Sequence, residues 1–206
     1  MLVNIRELWI VGLLSIALLV SACGGGGEGA IVVVDAEYDP AGAFDADAPV
    51  SETDSVAQIF TVLATGKFER FWIELTQGSA LESGFIRITV RPTIAGLPDP
   101  SPASSIINPI DVDTDDLPTA GIEQFTVFDV GNDPGRQVTA GDELAIVVEF
   151  LSRDTGTIGN PIARLLGTDG TLGDPFAGGA GAEDSGGGFA LNPSMDDYIF
   201  RTFVLQ

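Results

Sequence analysis

An all-β fold, a two-sheet antiparallel β-sandwich of jelly-roll type with long loops, is predicted by three features of the sequence. Apolar residues alternate or run in short blocks, and Gly, Pro, Asp and Asn clusters separate the blocks. No stretch keeps apolar residues at the helical spacing i, i+3, i+4 and i+7.

Eight strands follow in order, near residues 31–36, 55–63, 68–75, 84–91, 122–129, 143–151, 162–166 and 198–205. In 85–91, Ile86, Ile88 and Val90 share one face while Arg87, Thr89 and Arg91 share the other, as a half-solvated antiparallel strand requires. The run Leu144 to Phe150 is nearly continuous, which suits a central strand covered on both sides. Thr139-Ala140-Gly141-Asp142 is the turn that leads into it. Residues 37–54, 92–120 and 167–197, rich in Asp, Pro and Gly respectively, read as loops.

The first 22 residues read as an export segment: Arg6, an apolar run from Leu8 to Val20, then Ser21 and Ala22. The run is short for a membrane span. Leu19 to Cys23 resembles the bacterial lipobox, in which cleavage before the cysteine is followed by its lipidation. Cys23 is the only cysteine, and Gly24 to Gly27 after it form a flexible tether. The expected organisation is therefore a signal peptide at 1–22, a lipidated Cys23 with tether over 23–30, and one sandwich domain over 31–206. Several acyl chains hold a protein on a membrane firmly, whereas one chain binds only marginally. Gly24, where some lipoproteins carry Asp, resembles the pattern sorted to the outer membrane of Gram-negative cells.

The 206 residues hold 30 acidic and 9 basic side chains, no histidine and a net charge of −21. Losing residues 1–22 removes Arg6 and Glu7 and leaves that charge unchanged. Without His, no Ser-His-Asp or Cys-His relay is available. A lone Cys excludes intrachain disulfides and CxxC motifs, and the charge repels nucleic acid. The expectation is a non-enzyme; the composition leaves open only an enzyme that works with carboxylates, hydroxyls or a bound metal, for example a carboxylate-only glycosidase.

Gln58-Ile59-Phe60-Thr61-Val62, Ile86-Arg87-Ile88 before a Pro-rich excursion, the stretch from Val138 to Val147, and Asp197-Tyr198-Ile199-Phe200-Arg201-Thr202-Phe203 stand in a telling order. Over residues 55–204 this order resembles a class of bacterial secreted β-sandwich modules similar to jelly-roll carbohydrate-binding modules. The resemblance implies a surface adhesion or recognition role, and modules of this kind often hold a structural calcium. The chain departs from it in aromatics, with few Trp and Tyr and twelve Phe.

Three groups are candidate sites. Trp72, on the more polar face of its strand with Phe68, Arg70 and Glu74, and Tyr198 are candidate ligand contacts. Asp111, Asp113 and Asp115 would project to one side of an extended chain, and with Asp116 they are candidate ligands for Ca²⁺, which takes about 6–8 oxygens. The spacing is not an EF-hand, since Ile122 stands where Glu is required. Asp35, Asp39, Asp45 and Asp47 form a second acidic group. Arg201 is expected to pair with Asp197 or Glu149.

The expected function is a lipid-anchored extracytoplasmic module for adhesion or recognition, meeting the membrane through Cys23 and an extracellular glycan or protein through loops 92–120 and 167–197. The alternative is a passive structural envelope lipoprotein. Exposed Trp72, Tyr38 or Tyr198 rings favour recognition, and buried rings favour the passive role.

Overall fold

The computed structural model describes residues 30–39, 46–119, 125–130, 137–168, 179–192 and 197–206. The strands are β1 Val32–Tyr38, β2 Ala46–Val50, β3 Ser55–Thr61, β4 Gly66–Gln77, β5 Ser83–Ile94, β6 Leu97–Pro98, β7 Ile110–Asp113, β8 Phe125–Asp129, β9 Gln137–Val138, β10 Glu143–Thr155, β11 Ala163–Thr168, β12 Gly179–Asp184, β13 Ala190–Leu191, β14 Asp197–Tyr198 and β15 Phe200–Leu205. One sheet runs β1-β15-β4-β11-β14, with β2 beside β11 and with β8 and β9 beside β4. The other runs β13-β12-β3-β10-β5-β6, with β7 beside β5. Every pairing is antiparallel, and the two sheets pack as the predicted sandwich.

The core follows from alternation. Phe71, Ile73 and Leu75 of β4 face Phe60 of β3, Ile86, Ile88 and Val90 of β5, and Leu144, Ile146 and Val148 of β10. A chain of rings runs through it: Phe60 lies 5.7 Å from Phe200 and 6.3 Å from Phe68, and Phe71 lies 5.1 Å from Phe128. Phenylalanine suits this place because it brings large apolar area and no polar atom that needs a partner. The prediction that the middle of β10 is covered on both sides holds. Ala145 and Val147 point to the outer face and are buried there with Ala57, Ile59 and Ala182, against Phe189.

The sandwich has two distinct ends. At the near end, Ile31 and Gln206 exchange backbone hydrogen bonds of 3.1 and 2.9 Å, beside the starts of β4 and β10. At the far end, β2, β4 and β10 finish and β3, β5 and β11 begin. The 12 residues of β4 separate the two ends by about 40 Å.

All eight predicted strands are present; residues 122–124 of the fifth, like the export segment and Cys23, lie outside the described residues. The expected loops hold further strands. Residues 37–54 contain β2, residues 92–120 contain β6 and β7, and residues 167–197 contain β12 and β13.

Candidate functional site

Trp72 sits on the outer face of the first sheet, half-buried, and it is not a bare platform. The Arg201 guanidinium lies 4.9 Å from the indole centroid and is held there by Glu37 and, at 3.4 Å, by Asp39. The Phe203 ring stands 5.0 Å away at 53°, and Arg70 covers that ring in turn at 5.5 Å. A cation over an aromatic face contributes about 0.5–1 kcal/mol at exposed sites. Here it also occupies the surface on which a ligand ring would stack. The expected pairing of Arg201 with Asp197 or Glu149 is thus replaced by Glu37 and Asp39, the neighbours that β1 brings alongside.

Tyr198 as a ligand contact is corrected: it is wholly buried. Its hydroxyl donates to Glu183 at 3.1 Å, and Asn192 donates to the same carboxylate oxygen at 2.6 Å. Burial, reinforced by the Glu183 charge, pushes the phenol pKa up. The Tyr198 backbone N–H donates to Gln58 Oε1 at 2.6 Å, while Gln58 Nε2 donates to Asp197 at 2.9 Å. Gly181 pairs with Gln58 and so adds no side chain beside this network. Tyr38 is buried as well.

The aspartate run also departs from expectation. Asp111 and Asp113 belong to β7, but a 3₁₀ turn over Thr114–Asp116 ends the extended chain, so Asp115 does not continue their face. Asp111 accepts two hydrogen bonds from Arg87, at 2.7 and 2.9 Å, and that guanidinium holds its pKa below the usual value. Asp113 accepts the Asp115 N–H at 3.0 Å and caps the turn. Asp115 and Asp116 are exposed. Among the described residues no three acidic side chains converge as a ready metal cage. In the second acidic group, Asp35 faces inward, Asp39 meets Arg201 and Asp47 meets Arg164, while Asp45 lies outside the described residues.

What the fold does bring together is an open cleft of about 310 Å³ on the outer face of the second sheet, toward the far end. Its floor is the cross-strand pair Glu149 of β10 and Arg87 of β5, with Ser55 of β3 beside them. Pro102 and Leu151 supply apolar walls, and Ser51 and Glu52 reach in from the turn between β2 and β3. The three charged groups are pre-positioned. Arg87 is fixed by Asp111. Glu149 pairs with the wholly buried Arg91, whose Nε donates to Thr89 at 2.8 Å. Glu52 accepts from Arg153 at 2.5 and 3.0 Å and from the Gly159 N–H at 3.1 Å, and the Arg153 hydrogen bonds pull its pKa down to about 2.

Ionised acceptors beside a guanidinium and two hydroxyls suit a ligand whose own groups both donate and accept, such as vicinal hydroxyls. General acid catalysis needs a carboxyl held protonated. Glu52 and Asp111 are shifted in the opposite direction. Sequence reasoning did not select Glu52, Arg87 or Glu149 as a site. The available signal was Arg87 and Arg91 on one face of a single strand, in a chain with only 9 cations.

No family model matches the sequence, and no curated protein matches it. No helix among the described residues is long and apolar enough to cross a membrane.

Proposed function

We propose that this chain is a lipid-anchored, extracytoplasmic β-sandwich module for adhesion or recognition, which takes a hydroxyl-rich ligand of the glycan class in the cleft of Arg87, Glu149 and Glu52. The observation that carries this reading is the cleft itself, built from pre-positioned charged groups on the outer face of the second sheet, toward the end opposite the start of β1. Anchoring at one end and contact at the other is a workable layout for a surface module. The calcium expected of such modules belongs to the turn after β7, where Asp115 and Asp116 are exposed; because no three acidic side chains among the described residues converge there, binding requires that turn to rearrange.

A passive envelope role is the second reading, and a specific observation favours it: Tyr38 and Tyr198 are buried and the Trp72 ring is covered by Arg201. Retention of the full chain on a panel of polysaccharides, in millimolar calcium and in chelator, separates the two. The recognition reading expects retention on at least one glycan and its loss in Arg87→Ala, with the unfolding temperature of the variant little changed because Arg87 and Asp111 are partly exposed. Absence of retention across the panel in both buffers supports the passive reading.

A further inference from the structure

Among the described residues, strand β1 is the edge of the first sheet and pairs only with β15. Its start, at Val32, pairs with Leu205 at the near end, and its finish, at Tyr38, pairs with Phe200 toward the far end. A pull on the chain before Ile31, resisted at the far end, therefore runs along the axis of β1. Antiparallel ladder bonds lie perpendicular to the strands. Such a pull strains all five registered pairs together: they must yield within a displacement shorter than one residue rise, about 3.4 Å.

We propose that β1 is a mechanical latch, loaded in shear between the N-terminal tether and the far-end cleft and locked by Asp35. At the break in register between Val34 and Glu37, Asp35 and Ala36 both turn inward opposite Thr202. Asp35 Oδ1 accepts the N–H groups of Leu63, at 2.8 Å, and Ala64, at 2.7 Å, from the turn after β3. Thr202 Oγ1 accepts the Ala36 N–H at 3.0 Å and donates to Asp35 Oδ2 at 3.3 Å. One side chain thus ties the edge strand both to its own sheet and to the turn that leaves the other. Sliding β1 by one residue reverses which side chains face the core, so Asp35 and Tyr38 leave their partners and no favourable neighbouring register exists. A pull between the two termini acts differently. Ile31 and Gln206 are hydrogen-bonded neighbours, so separating them opens the ladder from one end, pair by pair.

The biological use of the latch rests on the anchored, far-end-binding reading, whereas its mechanics do not. The test is single-molecule force spectroscopy on the full chain, made by cell-free synthesis so that Cys23 stays unmodified. Cys23 serves as one handle, and the second is Ile158→Cys, at a far-end residue 84% exposed, or Gln206→Cys at the near end. The latch expects a rupture force several-fold higher through position 158 than through position 206. Asp35→Ala should lower the former force more than the latter, and Asp35→Asn, which keeps an acceptor for Leu63 and Ala64, should retain most of it. Equal forces in the two geometries, or a higher force through position 206, overturn the proposal. This comparison needs only the native Asp35, so it decides even where Asp35→Ala fails to fold. Membrane fractionation of Cys23→Ser tests the anchor separately: unchanged partitioning removes the anchor and leaves the force asymmetry as measured.

Discussion

Asp35 is a carboxylate inside a β-sandwich, and its surroundings set its titration. Burial raises its pKa, an effect only partly offset by the hydrogen bonds from Ala64, Leu63 and Thr202. The folded chain holds this proton more tightly than the unfolded chain does. Its contribution to stability is therefore fully present below the unfolded value of 3.8 and is lost as pH rises through the raised folded value. Asp35→Asn keeps the acceptor and removes the charge, so unfolding at neutral pH should require as much denaturant as wild type or more. Asp35→Ala leaves two backbone N–H groups without their acceptor and should cost about 1–3 kcal/mol. Chemical denaturation of both variants across pH checks this, and an Asn variant weaker than wild type at neutral pH would contradict it. The sequence places Asp35 in the first predicted strand and groups it with Asp39, Asp45 and Asp47 as an acidic cluster. Simple alternation through Val32 to Tyr38 cannot reveal the bulge, because two consecutive inward residues break the period of two on which such reading depends.

At the level of elements, the far end is held by one arginine that joins three turns. Arg153 of β10 donates to Glu52, at 2.5 and 3.0 Å, to Glu82 at 2.5 Å and to the Asn160 carbonyl at 2.5 Å. Glu82 in turn accepts the Thr157 N–H at 2.9 Å and Asn160 Nδ2 at 2.8 Å. Gly78 and Gly156 make this junction close: a Cβ at Gly78 would stand 1.8 Å from the Pro161 carbonyl oxygen, and one at Gly156 would stand 1.7 Å from Glu82. Because the pKa of Glu52 is lowered from 4.5 to about 2, its share of stability is present above 4.5 and lost as pH falls toward 2. In Arg153→Gln the Glu52 carboxyl should titrate near its ordinary value, read by NMR, and stability should fall by about 2 kcal/mol, between the values for exposed and buried pairs. A Glu52 titration unmoved in that variant would show that Arg153 is not what holds it. Glycan retention should weaken too, since Glu52 lines the cleft. Legibility divides along the same lines. Strands with an apolar face, such as β4, β5 and β10, announce themselves in sequence, because burial of that face is what forms them. Strands β2 with Pro49, β7 with Asp111 and Asp113, and β12 with Gly179 and Gly181 carry too few apolar side chains to show a period. They form because a longer strand presents an open edge to them. The cleft was illegible for a related reason: Glu52, Arg87 and Glu149 are distant in sequence and meet only through the pairing of β10 with β3 and β5.

For the whole molecule the governing quantity is a net charge of −21. Arg87, Arg91, Arg153, Arg164 and Arg201 each have a carboxylate partner, yet most of the 30 acidic groups outnumber any cation they could meet. Salt weakens those pairs, which where exposed contribute about 0–1 kcal/mol each. It also screens the far more numerous repulsions, whose range shrinks from about 10 Å at 0.1 M to about 3 Å at 1 M. The balance favours screening, so sodium chloride should raise the unfolding temperature, by about 2–4 °C for each kcal/mol gained in a domain of this size. A fall on adding salt would mean that the ion pairs outweigh the repulsion. Calcium adds a separable effect at matched ionic strength. A specific site stabilises the folded chain by RT ln(1 + [L]/Kd), about 2.7 kcal/mol when calcium stands at a hundred times its Kd, whereas screening alone treats calcium and magnesium nearly alike. A surplus in calcium over magnesium that disappears in Asp115→Asn with Asp116→Asn would place the ion at the turn after β7. Equal curves in the two cations would remove calcium from the proposed function and leave the Arg87 cleft to be supported by its own hydrogen bonds.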